Sequence, residues 1–239
     1  MDFILDHLLT LILFTPAVTG LVILLFLRKN FELSKWVAFI ASFLPLILTI
    51  IAWVNFGGAE AVDGFKFVEN ATWYSSIKSS YHVGVDGLSL SMVLLTTLLT
   101  PFALLASFNI KKATGIFMAL FLFLETGMLG VFMSLDLLLF FVFWEIGLVP
   151  MYFLINQWGS EKGEREIWGN IKVKARTYAS FKFMIYTMAG SLGLLLAIQM
   201  IGVVAQSFDL VKIFEMWPAL SQATFDGAIP FGLDISTVK

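Results

Sequence analysis

Six long apolar runs, almost free of charge, constrain this chain more than any other feature. They cover roughly residues 8–27, 36–54, 88–108, 115–133, 137–155 and 179–203. Each is close to the ~20 residues that cross a bilayer core as a helix. In lipid every backbone N–H and C=O must be satisfied within the protein, which a helix achieves inside a single segment. A β-barrel would show alternating segments of about ten residues instead. The composition agrees, with 59% of the 239 residues hydrophobic and 13% charged, against about 45–50% and about 25% in soluble domains. So few charges cannot cover a soluble globule, and so much apolar surface excludes disorder. The chain has no cysteine and two histidines, His7 and His82. That rules out a disulfide scaffold and a cysteine-ligated iron–sulfur or metal site, and no haem or zinc site is expected from this chain alone. A net charge of -2 without a basic stripe excludes nucleic acid as a partner. No glycine-rich phosphate loop is present, so no nucleotide site is expected. The expected fold class is an all-α integral membrane protein with six transmembrane helices.

Loop charge sets an orientation. Arg28, Lys29 and Lys35 follow the first run, Lys111 and Lys112 the third, and Lys162, Arg165, Lys172, Lys174 and Arg176 the fifth. Ten of the fifteen basic residues therefore sit in alternate loops. Basic loops stay cytoplasmic, which puts both termini outside. The first run is read as a span and not a cleaved signal, because Asp2 and Asp6 flank it where a signal needs positive charge. Residues 1–56 then form two peripheral spans, 57–85 an outside loop, 86–204 four further spans and 205–239 an outside tail. The outside loop carries Gly57-Gly58 and no helical periodicity. In the tail, Leu210, Ile213, Phe214 and Trp217 recur at helical spacing, predicting a short amphipathic helix along the outer interface, with Pro218 near its end.

Three ionisable residues lie inside the spans. Each costs roughly 2.5–3.5 kcal/mol at a helix centre on insertion scales, so a charge there has a purpose. Glu145 sits mid-way along the fifth run, five residues before Pro150. Proline removes a backbone hydrogen bond and can open a polar gap there. A carboxyl balanced between desolvation and a nearby cation can load and release a proton; the bland alternative is a packing hydrogen bond. Glu125, in the fourth run before Thr126 and Gly127, supports either a proton role or a bond to a neighbouring helix. Lys182, a few residues into the sixth run, either snorkels to the surface or tunes a carboxylate inside the bundle. Asp86 and Asp136 precede the third and fifth runs and are read as helix caps. Ala189 and Gly193 form a small-xxx-small pair, read as helix packing.

Several segments then resemble one family. Tyr81-His82-Val83-Gly84-Val85-Asp86-Gly87 looks like the entry to the third helix of complex I antiporter-like subunits. Glu125-Thr126-Gly127-Met128-Leu129-Gly130 is similar to their fourth helix. The stretch from Asp136 through Trp144-Glu145 to Val149-Pro150-Met151-Tyr152 resembles subunit M in particular, as does Lys182-Phe183-Met184-Ile185-Tyr186. The resemblance runs from about residue 73 to 214 and covers the N-terminal part of the antiporter-like subunit fold. It implies a membrane-arm subunit of a proton-translocating NADH–quinone oxidoreductase in a bacterial inner membrane. Glu145 would be the input glutamate of a proton half-channel, assisted by Lys182 and Glu125. It further implies that this chain binds no cofactor, with NADH, FMN, iron–sulfur clusters and quinone in partner subunits. Those partners include the L- and N-type antiporter-like subunits. Family members have more helices than the six here, including a broken seventh helix with a lysine, for which Lys239 is no substitute. The expectation is a truncated or split subunit, with a separate chain carrying the missing C-terminal helices as a further partner. Two other readings stay open: a subunit of a multisubunit cation/proton antiporter, and a non-pumping structural fragment.

Overall fold

The computed structural model describes residues 5–74, 77–167 and 171–220. Residues 221–239, and Lys239 with them, lie outside the described residues. Six helices long and apolar enough to cross a membrane occur among the described residues. They are α1 (Leu8–Leu27), α2 (Phe31–Asn55), α3 (Gly87–Ala106), α4 (Thr114–Met133), α5 (Leu137–Trp158) and α6 (Ala175–Ala205). The amphipathic helix of the tail follows as α7 (Leu210–Leu220). The last five residues of α1 wind as a π-helix. α2 is interrupted at Ser42, three residues before Pro45, which has no N–H to give the preceding turn. The Ser42 hydroxyl instead donates to the Phe39 carbonyl at 2.7 Å.

α4 is the hub and the most buried of the six spans; it packs against α1, α2, α3 and α5. Its contact with α5 is close because glycine stands at the crossing. A Cβ on Gly127 would fall 2.9 Å from the Gly147 backbone of α5. A Cβ on Gly130 would fall 2.1 Å from the Phe143 ring. Absent side chains let the two backbones meet, as lipid-embedded helices require when no hydrophobic effect drives them together. α6 is different. It touches α5 near the basic end, through Tyr152–Phe181 and a Thr177–Asn156 hydrogen bond of 3.2 Å. Further along, Gly190 and Gly193 meet nothing within 4 Å, and Ala189 is exposed. The expected Ala189/Gly193 packing is therefore not made among the described residues: there this part of α6 presents an open face, with Ile185 and Tyr186 also exposed.

Strands add to the all-helical expectation. The loop between α2 and α3 folds as a three-stranded antiparallel sheet of β1 (Ala61–Val62), β2 (Phe65–Tyr74) and β3 (Ser79–Val85). Asp63-Gly64, both at positive φ, makes the tight turn between β1 and β2; Asp-Gly suits a two-residue hairpin because both positions take left-handed conformations. A second hairpin, β4 (Glu164–Ile167) with β5 (Ile171–Lys174), lies in the basic loop before α6. At the opposite end of the bundle the sheet seals the helix ends. Val83 and Val85 are fully buried and join a core with Leu8, Leu9, Leu90 and Met133. Alternate ends of the spans thus differ: one carries the sheet and α7, and the other carries Arg28, Lys112 and Arg176.

Helix caps at the sheet end are polar side chains. Asp86 forms a capping box with Ser89 on α3. Asp136 accepts from Leu138 N–H and Leu139 N–H of α5 at 3.0 and 3.1 Å. The first turn of α1 is capped from the sheet: Glu69 of β2 accepts from Leu9 N–H at 2.8 Å and Thr10 N–H at 3.1 Å. A carboxylate there satisfies orphan donors and opposes the helix dipole. The Thr10 hydroxyl, 2.7 Å from the Tyr81 phenol, joins the same cluster.

Candidate functional site

Glu125 and Glu145 lie at nearly the same level of the α4–α5 pair. Gly127 and Gly147 mark the backbone contact between the helices, and each glutamate stands two residues before its glycine. Two residues turn a helix by about 200°, so each carboxyl leaves its helix on the side away from that contact. The helices run in opposite directions, so the two α-carbons are offset by about 6 Å along the membrane normal. Glu125 is fully buried. The Thr100 hydroxyl of α3 lies beside it, but that hydroxyl donates to the Thr96 carbonyl at 2.9 Å. Both Glu125 oxygens and Oε1 of Glu145 are buried without a hydrogen-bond partner. Glu145 itself is half-buried, next to Trp144, which stacks on Phe140 with ring centroids 6.1 Å apart. Pro150 is buried inside α5. Among the described residues no cation lies within 4 Å of either glutamate.

Lys182 does not meet the two glutamates. It is exposed on α6 with its ammonium 5.8 Å from the centre of the Tyr178 ring. Asp86 and Asp136 act as the caps expected of them. No group of three histidine, cysteine, aspartate or glutamate residues among the described residues could hold a metal ion. A carboxyl in an apolar bundle changes its proton affinity when a charge approaches or leaves.

The sheet end holds functional-type residues that sequence reasoning passed over. His82 of β3 places Nδ1 3.3 Å from Asp209 Oδ2, with both side chains more than nine-tenths buried. Asp209 precedes the apolar periodicity of α7 and accepts from Val211 N–H at 3.0 Å, so its capping position was available as a signal. The partnership with His82 was not, because 127 residues separate them in sequence.

Comparison with known proteins places the chain beside one family. Residues 134–231 match the family model described as NADH:quinone oxidoreductase/Mrp antiporter, transmembrane. NADH-quinone oxidoreductase subunit M of Rickettsia prowazekii is 38% identical over 85% of this chain and 39% of its own length. In the structure of respiratory complex I from Thermus thermophilus with bound NADH, one chain matches with a TM-score of 0.69 at 23% identity. That match covers 87% of this chain and 39% of the other. The Mrp complex from Dietzia sp. DQ12-45-1b matches with a TM-score of 0.68 at 19% identity, over 89% of this chain and 22% of the other. The chain thus spans about two fifths of the length of its subunit M relative. Over the residues it shares with them, the chain is similar to subunit M of NADH-quinone oxidoreductase, and residues 134–231 match the NADH:quinone oxidoreductase/Mrp antiporter transmembrane family model.

Proposed function

We propose that this chain is part of the membrane arm of a proton-pumping NADH–quinone oxidoreductase, and that Glu145 loads and releases the translocated proton. The observation that carries the reading is the unpartnered, buried Oε1 of Glu145 in mid-span. Glu125, also unpartnered, is the second proton position, on the other side of the α4–α5 contact and linked to Glu145 only through water. Lys182 lies on the face of α6 that this chain leaves open, so a cation there tunes Glu145 only through residues that cover that face. Those residues belong to the remaining helices of the subunit, in this polypeptide or in a second chain. Electron transfer and its cofactors stay in partner subunits. Basic loops facing the cytoplasm put the sheet and α7 on the outer side of a bacterial inner membrane.

The test is Glu145→Gln in the assembled complex, read by NADH-driven acidification of inverted membrane vesicles. The expected result is normal assembly with proton uptake reduced at least tenfold. Unchanged pumping in an assembled complex would remove Glu145 from the path. A cation/proton antiporter is the second reading, favoured by the fold likeness to the Mrp complex. It predicts sodium- or potassium-driven proton movement without NADH.

A further inference from the structure

The strongest unassigned feature is the junction under the sheet. Three segments distant in sequence meet there: β3, the turn between α4 and α5, and the linker between α6 and α7. Backbone bonds tie them together. Leu135 N–H donates to the His82 carbonyl at 2.8 Å, Leu137 N–H to the Phe208 carbonyl at 2.9 Å, and Leu210 N–H to the Leu135 carbonyl at 2.8 Å. Side chains complete the tie. Asp136 accepts from the Ser79 hydroxyl at 3.1 Å and Ser80 N–H at 3.0 Å while capping α5. Phe208 wedges against Gly202, where a Cβ would fall 2.1 Å from its ring.

At the centre stands the His82–Asp209 pair. Nδ1 is 3.3 Å from Oδ2, yet it makes no aligned hydrogen bond. This contact therefore gains from the charge of an imidazolium and gains little from a neutral ring. From the packed elements, Asp209 is the charged group that faces His82. Lys212 of α7 sits behind it, 3.7 Å from the same carboxylate oxygen. Asp136 turns its oxygens to the α5 cap and to Ser79 and Ser80. On β2 the cross-strand neighbour is the uncharged Asn70.

We propose that His82 and Asp209 form a proton-operated latch that fastens α7 and the α6–α7 linker to β3. Histidine is the side-chain type whose charge changes near neutral pH. When the ring is protonated, it attracts Asp209, and the junction is closed. When the ring loses its proton as pH rises, the attraction is lost, and α7 with its linker loosens from the sheet. The placement of the latch on the side that receives pumped protons rests on the function and orientation proposed above. There, acidification outside would fasten the junction from which α5, the helix of Glu145, starts.

The chain contains no cysteine, so introduced thiols report without background from it. Ser79→Cys places a thiol at a buried junction position, and Glu60→Cys places one in the exposed outside loop. Each is labelled, in complex-containing vesicles, with a membrane-impermeant maleimide between pH 6 and 8.5, and the chain is isolated afterwards. Taking the rate at position 79 relative to position 60, and comparing that ratio with the same ratio in the latch variants, removes the pH dependence that the two thiols have of their own. The expected ratio rises at least threefold toward pH 8.5 with His82 and Asp209 intact. It stays flat when His82→Gln or Asp209→Asn is added. A flat ratio with both residues intact overturns the latch without any further variant. An equal rise in both latch variants overturns it as well. Labelling of position 60 only in inverted vesicles would overturn the proposed orientation, while the ratio would still decide the latch.

Discussion

Asp136→Ala tests whether one carboxylate holds the sheet end of the bundle. Asp136 is 1% exposed and serves two elements at once. Oδ1 caps α5 through Leu138 N–H and Leu139 N–H and accepts from the Ser79 hydroxyl, while Oδ2 takes Ser80 N–H. Loss of a helix cap costs about 1 kcal/mol. A buried donor left without an acceptor costs about 1–3 kcal/mol. Ser80 is half-buried and can recruit water, so the lower part of that range applies to it. The expected destabilisation is about 3 kcal/mol. Asp136→Asn keeps an oxygen at the Oδ1 position and spoils the Ser80 contact, which costs about 1 kcal/mol. Thermal unfolding in detergent, at about 2–4 °C per kcal/mol for a chain of this size, should separate the two variants by several degrees. If Asp136→Ala unfolds within about 0.5 kcal/mol of the parent, or Asn is as costly as Ala, the cap-and-junction reasoning is refuted.

Other outcomes follow from single contacts. Gly130→Ala drives a methyl into the Phe143 ring and should cost about 1–3 kcal/mol in the same unfolding assay. Gly190→Ala meets nothing within 4 Å, so the isolated chain should gain up to ~1 kcal/mol; loss of assembly in the complex instead would reveal a partner helix on that face. Burial pushes the Tyr81 phenol up from 10.0 to about 12, with the Thr10 hydrogen bond opposing and the Glu69 charge adding to the rise. The unfolded chain therefore loses that proton first, and stability should fall as pH rises from about 10 to about 12. Tyr81→Phe, compared by base-induced unfolding, should lack that slope. Hydrogen bonds, first that from Ser89 N–H, hold the Asp86 carboxyl below its ordinary range. Its stabilising contribution is present above the unfolded carboxylate range and lost as pH falls, so Asp86→Asn should flatten the acid limb of a pH–stability curve.

Segments of twenty apolar residues announced the six spans, because a helix in lipid satisfies its backbone locally and needs no distant partner. The same locality made the Asp86 and Asp136 caps and α7 legible, since a cap reaches only two or three residues along the chain. Local signals also existed for the β1–β2 turn at Asp63-Gly64 and for Asp209 before α7, though periodicity in search of helices passed over them. Other features depended on residues far apart in sequence. Glu69 caps α1 from about sixty residues away, and His82 meets Asp209 only because β3, the α4–α5 turn and the α6–α7 linker converge. The directions of Glu125, Glu145 and Lys182 were likewise set by packing. Composition marked these three as costly in a membrane. It took the Gly127–Gly147 contact to turn both carboxyls away from the α4–α5 contact, and the open face of α6 to leave Lys182 outside. Spans follow from the solvent that a segment must satisfy, whereas a site follows from which helix faces touch, and that is decided by tertiary packing.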